Sequence, residues 1–286
     1  MPALEAIGPN AEQIQYWNDL AGSKWVAYQG LLDAQIRPLG LLAMERAAIS
    51  PGERVLDVGC GCGDTTLEIA RRVGPTGSVV GADISTVMLE RARQMAHGAG
   101  IAHVRFENVD AQTHHFAPGS IDLVFSRFGI MFFIDPRAAL ANLCSALRPG
   151  GRLAFVCWQG LQHNPWMLVP LGAALQHLPA VTPPAPDAPG PFAFADDARV
   201  RAILSGAGFT GLRFEGVTKT MTIGGGSLDQ AVDFLLQMGP TGRLLRESGA
   251  EVRSAVAQAV RAAVEPYATP DGVRMEGAVW IVSGKK

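Results

Sequence analysis

The sequence has little charge for its length, and its charged residues form no cluster. Charged residues make up only 17% of the 286 residues, the formal net charge is −2, and no run of Lys or Arg stands out. A protein that binds nucleic acid normally carries a basic patch or stripe, so the composition argues against a nucleic-acid partner. Because 48% of the residues are hydrophobic, the chain can bury a sizeable core and does not have the composition of a disordered protein.

The sequence also lacks zinc-type or redox-type cysteine spacing and any long apolar run. No C-x₂-C pair occurs among its four cysteines, Cys60, Cys62, Cys144 and Cys157. The longest apolar stretches fall short of the roughly 18 residues that predict a membrane span, and the segment Met1 to Gly8 is not a signal peptide. These absences predict no bound metal and no stable membrane insertion, with the cytoplasm as the default location.

What the sequence does contain is a regular alternation of strand and helix patterns. The predicted strands cover 54–58, 78–82, 104–107, 121–126 and 153–158, and the predicted helices between them cover 64–73, 85–96 and 135–147. Strands that alternate with helices in this way imply a parallel sheet covered on both faces. Beyond this region we predict helices over 196–205, 227–237 and 243–264 and strands over 212–217 and 278–282.

The strongest motif is the segment from Val55 to Asp64, VLDVGCGCGD, in which a buried strand enters a glycine-rich turn that opens a helix. The glycines allow a ligand to approach the backbone closely, and the helix N-terminus offers free N–H groups. We expect the backbone of Cys60 and Cys62 to matter more than their thiols. A dinucleotide fingerprint requires glycine at position 64. Because Asp64 stands there and would repel a pyrophosphate, an NAD-dependent oxidoreductase is disfavoured.

Two acids follow the next strands. Asp83 ends the second strand, where a carboxylate can accept hydrogen bonds from both hydroxyls of a ribose; the alternative is an exposed helix cap. Asp110 follows the third strand, where it can accept a hydrogen bond from an adenine amino group; the alternative is an ordinary loop aspartate.

Together these residues resemble the motif series of the class I S-adenosylmethionine-dependent methyltransferases. The resemblance rests on D-x-G-x-G-x-G at Asp57 to Gly63, on Asp83, and on the Asp110-Ala111 pair. It covers Arg54 to Trp158 well and the last strand moderately. Two further segments are Ile121 to Ser126 and Leu147 to Gly151. They are similar to the corresponding segments of the branch that includes ubiquinone and menaquinone C-methyltransferases and many bacterial small-molecule methyltransferases.

This resemblance implies an α/β fold with a doubly wound, mostly parallel seven-stranded sheet, an antiparallel last strand and helical cap insertions. It implies S-adenosylmethionine as cofactor and S-adenosylhomocysteine as product. Gly59 and Gly61 would line the methionine portion, Asp83 would hold the ribose, and Asp110 and Ala111 would hold the adenine. The full set of predicted cofactor-binding residues is Trp25, Tyr28, Asp57, Gly59, Cys60, Gly61, Asp83, Ile84, Asp110, Ala111 and Ser126, with Ile84 packing on the adenine ring.

The chain divides into four predicted parts. Residues 1–50 form an N-terminal helical cap, interrupted at Pro38 and Gly40, which in related enzymes closes over the cofactor; the alternative for Trp25 and Tyr28 is plain packing on the core. Residues 51–158 form the cofactor-binding core. Residues 159–195, which hold six prolines between Pro179 and Pro191, form an insert or lid. Residues 196–286 complete the sheet and carry a helical insert at about 218–272. We expect the cap and both inserts to form a mobile cover over the strand ends.

The segment after Ser126 should face the transferred methyl group. It is apolar and lacks the Asn- or Asp-Pro-Pro-aromatic tetrapeptide of nucleic-acid amino methyltransferases, which argues against base methylation. Core packing of Phe132 and Phe133 is an equal alternative. Arg127 either pairs with a substrate carboxylate or phenolate or forms an ion pair with the protein's own acids. The residues predicted to contact the substrate are Arg127, Phe128, Met131, Trp158 and Trp166.

His163 is a candidate general base, because an unperturbed histidine titrates near neutrality; its alternative is an exposed loop histidine. The sequence thus predicts methylation of a small, apolar or aromatic molecule at oxygen, nitrogen or carbon. The alternative function is a catalytically silent S-adenosylmethionine-binding module that acts as a partner or sensor. The oligomeric state stays open.

Overall fold

The structure of the chain, a computed structural model, describes residues 4–180 and 182–286. Met1–Ala3, within the predicted cap, and Val181, within the predicted proline-rich insert, lie outside the described residues. The helices are α1 Ala11–Asn18, α2 Leu20–Ala27, α3 Gln29–Ala47, α4 Asp64–Val73, α5 Thr86–Gly98, α6 Pro136–Ala146, α7 Pro165–Leu175, α8 Asp197–Gly206, α9 Leu228–Gln237, α10 Gly239–Leu244 and α11 Ala250–Val264. The strands are β1 Arg54–Val58, β2 Ser78–Asp83, β3 Val104–Asn108, β4 Ile121–Arg127, β5 Leu147–Trp158, β6 Thr210–Ile223, β7 Ala268–Thr269 and β8 Gly272–Lys285.

The strands form one sheet in the order β3-β2-β1-β4-β5-β8-β6, and the two-residue β7 pairs with β8. All pairings among β1 to β5 are parallel, whereas β8 runs antiparallel to both β5 and β6. The predicted doubly wound, mostly parallel sheet with an antiparallel last strand is confirmed. The short β7 comes in addition to the seven predicted strands.

The central strands carry near-continuous apolar runs because helices cover both faces of the sheet. Phe125 of β4 and Phe155 of β5 are completely buried. The strand order reverses between β1 and β4, and in open α/β sheets the crevice beside such a switch point is where ligands bind. The glycine-rich turn after β1 and the apolar segment after β4 both open into this crevice.

Local signals placed most helix ends correctly. Ser85 caps α5 by accepting a hydrogen bond from the Met88 amide, and Asp135 caps α6 in the same way. The strands at the end of the chain are longer than predicted: β6 spans 210–223 and β8 spans 272–285. The segment Pro149-Gly150-Gly151, predicted as a turn before the fifth strand, belongs to β5, whose pairing with β4 shifts register between Ile121 and Leu123.

The predicted interruption of the N-terminal helical pattern at Pro38 and Gly40 is wrong. The breaks occur at Asp19 and Tyr28, and α3 runs without interruption through both Pro38 and Gly40. Proline removes the hydrogen bond to the carbonyl four residues earlier and crowds that carbonyl. Here the carbonyl belongs to the exposed Ala34, so it can tilt toward solvent and accept from water instead. Gly40 is buried because Arg127 packs against it: an added Cβ would lie 2.8 Å from Arg127 Cδ.

The second half of the chain departs further from the prediction. Helix α7 was not predicted, and the predicted helix over 243–264 is broken into α10, a 3₁₀ turn at Leu245–Glu247, and α11. The break falls at Ser248-Gly249, where glycine is a poor helix former. Residues 182–191 contain neither helix nor strand, as the prolines predicted. In the described residues no helix combines the length and the apolar character needed to cross a membrane. The four-part division of the chain stays a prediction.

Gly40 and Gly30 provide a matched test of how α3 is held. We expect Gly40→Ala to lower the free energy of unfolding, because overpacking costs about 1–3 kcal/mol and exceeds the gain of about 0.8–1 kcal/mol from helix propensity. Gly30→Ala lies in the same helix with nothing within 4 Å of the new Cβ, so it should be neutral or stabilising. Urea denaturation of both variants measures this. Equal effects of the two substitutions would show that Arg127 does not constrain α3.

Candidate active site

A cavity of about 110 Å³ lies at the carboxyl ends of the parallel strands. The core contributes the turn after β1, the ends of β2 to β4 and the segment after β4, and the N-terminal helices close the opposite side. Its lining comprises Asn10, Gln13, Trp17, Trp25, Asp33, Ile36, Val58–Cys62, Asp64, Thr65, Ala82–Ile84, Met88, Val109–Ala111, Arg127–Gly129, Phe132 and Phe133.

The glycine-rich turn forms the floor of this cavity. Gly59, Gly61 and Gly63 have φ angles of +67°, +55° and +86°, in the region that side chains rarely adopt. A Cβ on Gly59 would also lie 2.7 Å from the Gly129 Cα, so the two loops pack backbone to backbone. Burial raises the pKa of the Cys62 thiol to about 12. The thiol is therefore protonated at neutral pH, and a role of the turn through its backbone stays a prediction.

Asp83 lies at the end of β2 and lines the cavity. One carboxylate oxygen accepts a hydrogen bond from the Gly61 amide at 2.7 Å and the other accepts from the Ser85 amide at 2.8 Å. Burial raises the pKa of this carboxyl, and the backbone hydrogen bonds oppose that shift. Because each carboxylate oxygen has two acceptor sites, Asp83 keeps capacity for a ligand's hydroxyls. Ile84 and Met88 supply apolar surface beside it.

Asp110 also lines the cavity, and its carboxylate joins the core to the N-terminal segment. It accepts hydrogen bonds from Asn10 Nδ2 at 2.8 Å, from the Gln112 amide at 2.9 Å and from Thr113 Oγ1 at 3.1 Å. The Asn10 side-chain oxygen accepts in turn from the Ile134 amide. Asn10 thus ties the start of α1 to both loops of the site, a role that its sequence position did not indicate.

Two predicted cofactor residues, Asp57 and Ser126, do not line the cavity but support the turn from below. The completely buried Asp57 accepts a hydrogen bond from Thr66 Oγ1 at 2.6 Å, and its other carboxylate oxygen has no partner in the described residues. Burial raises the pKa of Asp57 to about 6. Ser126 donates to the Val58 carbonyl at 2.7 Å.

Arg127 lines the cavity, but its guanidinium is taken up by the protein's own acids. It donates to Asp33 on α3 at 2.9 Å and to Asp64 on α4 at 2.8 Å, and only 8% of its side chain is exposed. Of the two readings of Arg127, the internal ion pair is the one this geometry supports. Burial raises the pKa of Asp33, and Arg127 opposes that shift.

The aromatic residues divide into those that line the cavity and those behind them. Phe128 lines it, and its φ of +59° is uncommon outside glycine. Its ring stacks on Trp158 at a centroid distance of 4.3 Å, and Trp158 contacts Trp166 in turn. Trp158, Trp166 and Met131 therefore lie outside the lining, and Met131 is core. Phe132 and Phe133 line the cavity and also pack against the hydrophobic core, so their position is compatible with both alternatives.

From the cap, Trp25 lines the cavity and contacts Trp17, which contacts Phe132. Tyr28 does not: its ring packs on Phe234 of α9. Gln13 was missed by the sequence reasoning, yet it lines the cavity and its buried Oε1 has no partner in the described residues.

The geometry does not support His163 as a base. It is exposed on a 3₁₀ turn, Leu161–His163, and is absent from the lining. A general base must reach the proton that it abstracts directly or through one water. In the described residues of the two predicted inserts, 159–195 and 218–272, no side chain joins the lining either. The cover over the strand ends comes from the N-terminal helices, and its mobility stays a prediction.

Comparison with known proteins shows what the core is similar to. Residues 49–173 match the model of a family described as a methyltransferase domain. The aklanonic acid methyltransferase DauC of Streptomyces sp. is 38% identical over 118 residues, 41% of this chain and 54% of that protein. The ubiquinone/menaquinone biosynthesis C-methyltransferase UbiE of Ectopseudomonas mendocina is 40% identical over 111 residues, 38% of this chain and 43% of that protein. The chain thus spans about half the length of the curated relatives it matches.

Among solved structures, phosphoethanolamine N-methyltransferase 2 of Haemonchus contortus, in complex with S-adenosyl-L-methionine, has a TM-score of 0.60 at 18% identity. The alignment covers 98% of this chain and 60% of that chain. At this identity the likeness shows the fold alone. The family match and the two methyltransferase relatives confirm the resemblance drawn from the glycine-rich turn and the two acids.

The raised pKa of Asp57 predicts a pH dependence of stability. A carboxyl whose pKa is about 6 in the folded protein and about 3.9 in the unfolded chain binds its proton more tightly when folded. Its contribution to stability is therefore lost as pH rises from about 4 to 6. Relative to Asp57→Asn, the wild type should lose on the order of 2–3 kcal/mol between pH 4 and pH 7, measured by urea denaturation.

Asp187, an exposed carboxylate in the proline-rich segment, provides the control. Asp187→Asn should follow the wild-type pH profile throughout. If Asp57→Asn follows it too, the Asp57 carboxyl is not the titrating group.

Proposed function

We propose, from the premise that residues 49–173 belong to a methyltransferase-domain family, that the chain transfers a methyl group from S-adenosylmethionine to a small apolar or aromatic molecule. The observation that carries the proposal is the meeting of the glycine-rich turn with Asp83 in one cavity, joined by the 2.7 Å hydrogen bond from the Gly61 amide. This pairing fits a nucleoside with a charged tail.

The residues of the cavity fit the cofactor part by part. Asp83 accepts from the ribose hydroxyls, and Ile84 and Met88 pack on the adenine ring. Asp110 holds the adenine edge, although three donors already share its carboxylate. Gly59 and Gly61 leave room for the methionine portion. The unpartnered Gln13 Oε1 is a further acceptor for the cofactor's amino groups.

The bound cofactor supplies an activated methyl group on a sulfonium, so the protein has little covalent chemistry to perform. Its contribution is to hold the acceptor in line with the methyl group and to exclude water, effects worth up to about 7–11 kcal/mol in well-oriented reactions. Phe128, Phe132 and Trp17 surround the cavity with rings and exclude water. The described lining contains no histidine, so we assign no side chain as general base.

The acceptor is small and apolar or aromatic because the cavity walls beyond the turn are aromatic. Among the described residues the lining has one basic side chain, Arg127, and it is paired with Asp33 and Asp64. Apolar burial at about 25 cal/mol per Å² then supplies most of its affinity. The printed names of the relatives point to small molecules as well, aklanonic acid for one and quinone biosynthesis for another. Whether oxygen, nitrogen or carbon accepts the methyl group stays open.

Substitution of Asp83 tests the cofactor assignment. We expect Asp83→Ala to weaken S-adenosylmethionine binding about ten- to a hundredfold, because hydrogen bonds to a charged group are each worth about 1.5–3 kcal/mol. Isothermal titration calorimetry measures the change. Asp83→Asn, which keeps a carbonyl acceptor, should retain part of the affinity.

The matched control is Asp122→Asn, because Asp122 lies at the amino end of the central strand β4, away from the strand ends that form the cavity, and pairs there with Arg54 and Arg148. It should bind the cofactor like the wild type once melting curves have shown that each variant is folded. An unchanged dissociation constant for Asp83→Ala would overturn the ribose assignment.

Turnover separates an enzyme from a silent binding module. We expect S-adenosylhomocysteine to accumulate when the protein and cofactor are incubated with a panel of small phenols, aromatic acids and quinone-like compounds, and not with transfer RNA or a protein mixture. Mass spectrometry of the methylated product identifies the acceptor atom. Tight cofactor binding without turnover on any member of a broad panel would favour the partner or sensor alternative.

A further inference from the structure

The lining of the cavity in the candidate active site carries an uneven charge. Among the described residues it contains four carboxylates and one basic side chain: Asp33, Asp64, Asp83, Asp110 and Arg127. Arg127 pairs with two of the four, Asp33 and Asp64, so negative charge exceeds positive charge within the lining. Such a site favours a positively charged ligand over a neutral ligand of the same shape.

Three of the four carboxylates are occupied by the protein itself. Each oxygen of Asp64 accepts from an arginine, Arg37 or Arg127. Each oxygen of Asp83 accepts from a backbone amide, and the two oxygens of Asp110 share three donors. Every oxygen of these three carboxylates therefore already has at least one donor from the chain.

Asp33 is the exception among the four. Its Oδ1 accepts from Arg127 at 2.9 Å, whereas its Oδ2 accepts no hydrogen bond of ordinary length from the described residues, although the Gln29 side chain lies nearby. This oxygen is not sealed inside the protein, because it is not among the unpartnered atoms that are fully buried and 18% of the Asp33 side chain is exposed. Burial raises the pKa of Asp33. A carboxylate partly removed from water in this way gains from a positive group beside it.

The position of Asp33 relates it to the sulfur end of the cofactor. The strands follow the order β3-β2-β1-β4, so Asp110, Asp83, the glycine-rich turn and Arg127 succeed one another across the sheet at intervals of about 4.8 Å. With adenine at Asp110 and ribose at Asp83, as proposed above, the sulfonium and the methionine portion extend toward β4. Arg127 joins Asp33 to the end of β4. After burial itself, the charge of Asp33 is the largest cause of the raised pKa of the Cys62 thiol, so this carboxylate lies close to the turn.

Methyl transfer changes the charge that this end of the site holds. When the S–CH₃ bond of the donor breaks, the methyl group goes to the acceptor and the electron pair stays on sulfur. A positively charged sulfonium thereby becomes a neutral thioether. A carboxylate beside the sulfur atom stabilises the bound donor and loses that interaction once S-adenosylhomocysteine has formed.

We propose that Asp33 is a specificity-determining residue, whose free carboxylate oxygen faces the sulfonium and makes the site bind the charged donor more tightly than the neutral product. This inference rests on the proposed function, because it requires S-adenosylmethionine in this cavity. The preference would favour exchange of the product for a new donor molecule after each turnover.

The test measures the binding of three ligands to the full chain at neutral pH by isothermal titration calorimetry. They are S-adenosylmethionine, S-adenosylhomocysteine and sinefungin, an unreactive analogue in which a protonated amino group supplies the positive charge of the sulfonium. The wild type should bind the two cationic ligands more tightly than S-adenosylhomocysteine. Asp33→Asn should weaken both cationic ligands about tenfold, through loss of one charge–charge interaction, and should leave S-adenosylhomocysteine within about twofold.

The ratio of these affinities separates the proposed role from a structural one. Asp33 also pairs with Arg127, and a cavity loosened by loss of that pair would weaken all three ligands alike. Asp33→Glu keeps the charge and should keep the preference for the donor. Glu45→Gln removes an exposed carboxylate from the same helix, outside the lining, and should bind all three ligands like the wild type. The wild-type comparison needs no variant, so it remains decisive even if Asp33→Asn does not fold.

Three results would overturn the inference. The first is tighter binding of S-adenosylhomocysteine than of S-adenosylmethionine by the wild type. The second is equal weakening of all three ligands by Asp33→Asn, which would assign the carboxylate to a group common to them or to a structural role. The third is unchanged binding of all three by that variant. Failure of the wild type to bind any of the three ligands would instead refute the proposed function, and the inference with it.

Discussion

The buried ion pairs of Arg127 hold the candidate active site together. Arg127 ends β4 and donates to Asp33 on α3 and to Asp64 on α4, so one side chain joins the sheet to helices on two sides of the cavity. Removing one partner of a buried pair costs about 3–5 kcal/mol, because the other charge is left uncompensated. The close approach of α3 also requires a residue without a side chain at Gly40, where the Arg127 methylene groups pack.

The same interaction explains why aspartate stands at position 64. Asp64 is the first residue of α4, where a negative charge interacts favourably with the helix dipole, and it accepts hydrogen bonds from both Arg127 and Arg37. The expectation that Asp64 repels a pyrophosphate therefore needs a correction. Arg37 and Arg127 balance its charge. This turn differs from a dinucleotide-binding turn because position 64 carries a side chain instead of a glycine, and that side chain belongs to the ion pairs that hold the cavity wall.

The sequence predicted those parts of the site whose signals are local. The turn after β1 and the acid at the end of β2 each depend on neighbouring residues, and each was found. Asn10, Gln13 and Asp33 were missed because they reach the cavity from helices whose docking depends on contacts distant in sequence, such as that from Asn10 to Asp110. Their polar character on otherwise amphipathic helices was the only signal available.

Errors of orientation had a different cause. Trp158 ends β5 and Trp166 follows soon after, so the sequence predicted both beside the cavity. The positive φ of Phe128 instead places the Phe128 ring between Trp158 and the cavity. A positive φ at a phenylalanine is not readable from the sequence, and neither is the exposed position of His163. The length of β6 was underestimated because its last residues pair with β8 beyond the parallel part of the sheet, and a pairing between segments so far apart in the chain leaves little local signal in the sequence.

The three N-terminal helices are bound to the core with very different strength. Helices α1 and α2 bury one residue each, Ile14 and Gly22, whereas α3 buries nine. Segments with few buried contacts open at the lowest free energy, and α1 and α2 are held mainly by polar contacts such as those from Asn10 to Asp110 and from Asn18 to the Ile84 carbonyl. If α1 and α2 open, as predicted for the cover, the cavity becomes exposed to solvent while α3, held by the ion pairs of Arg127, remains in place.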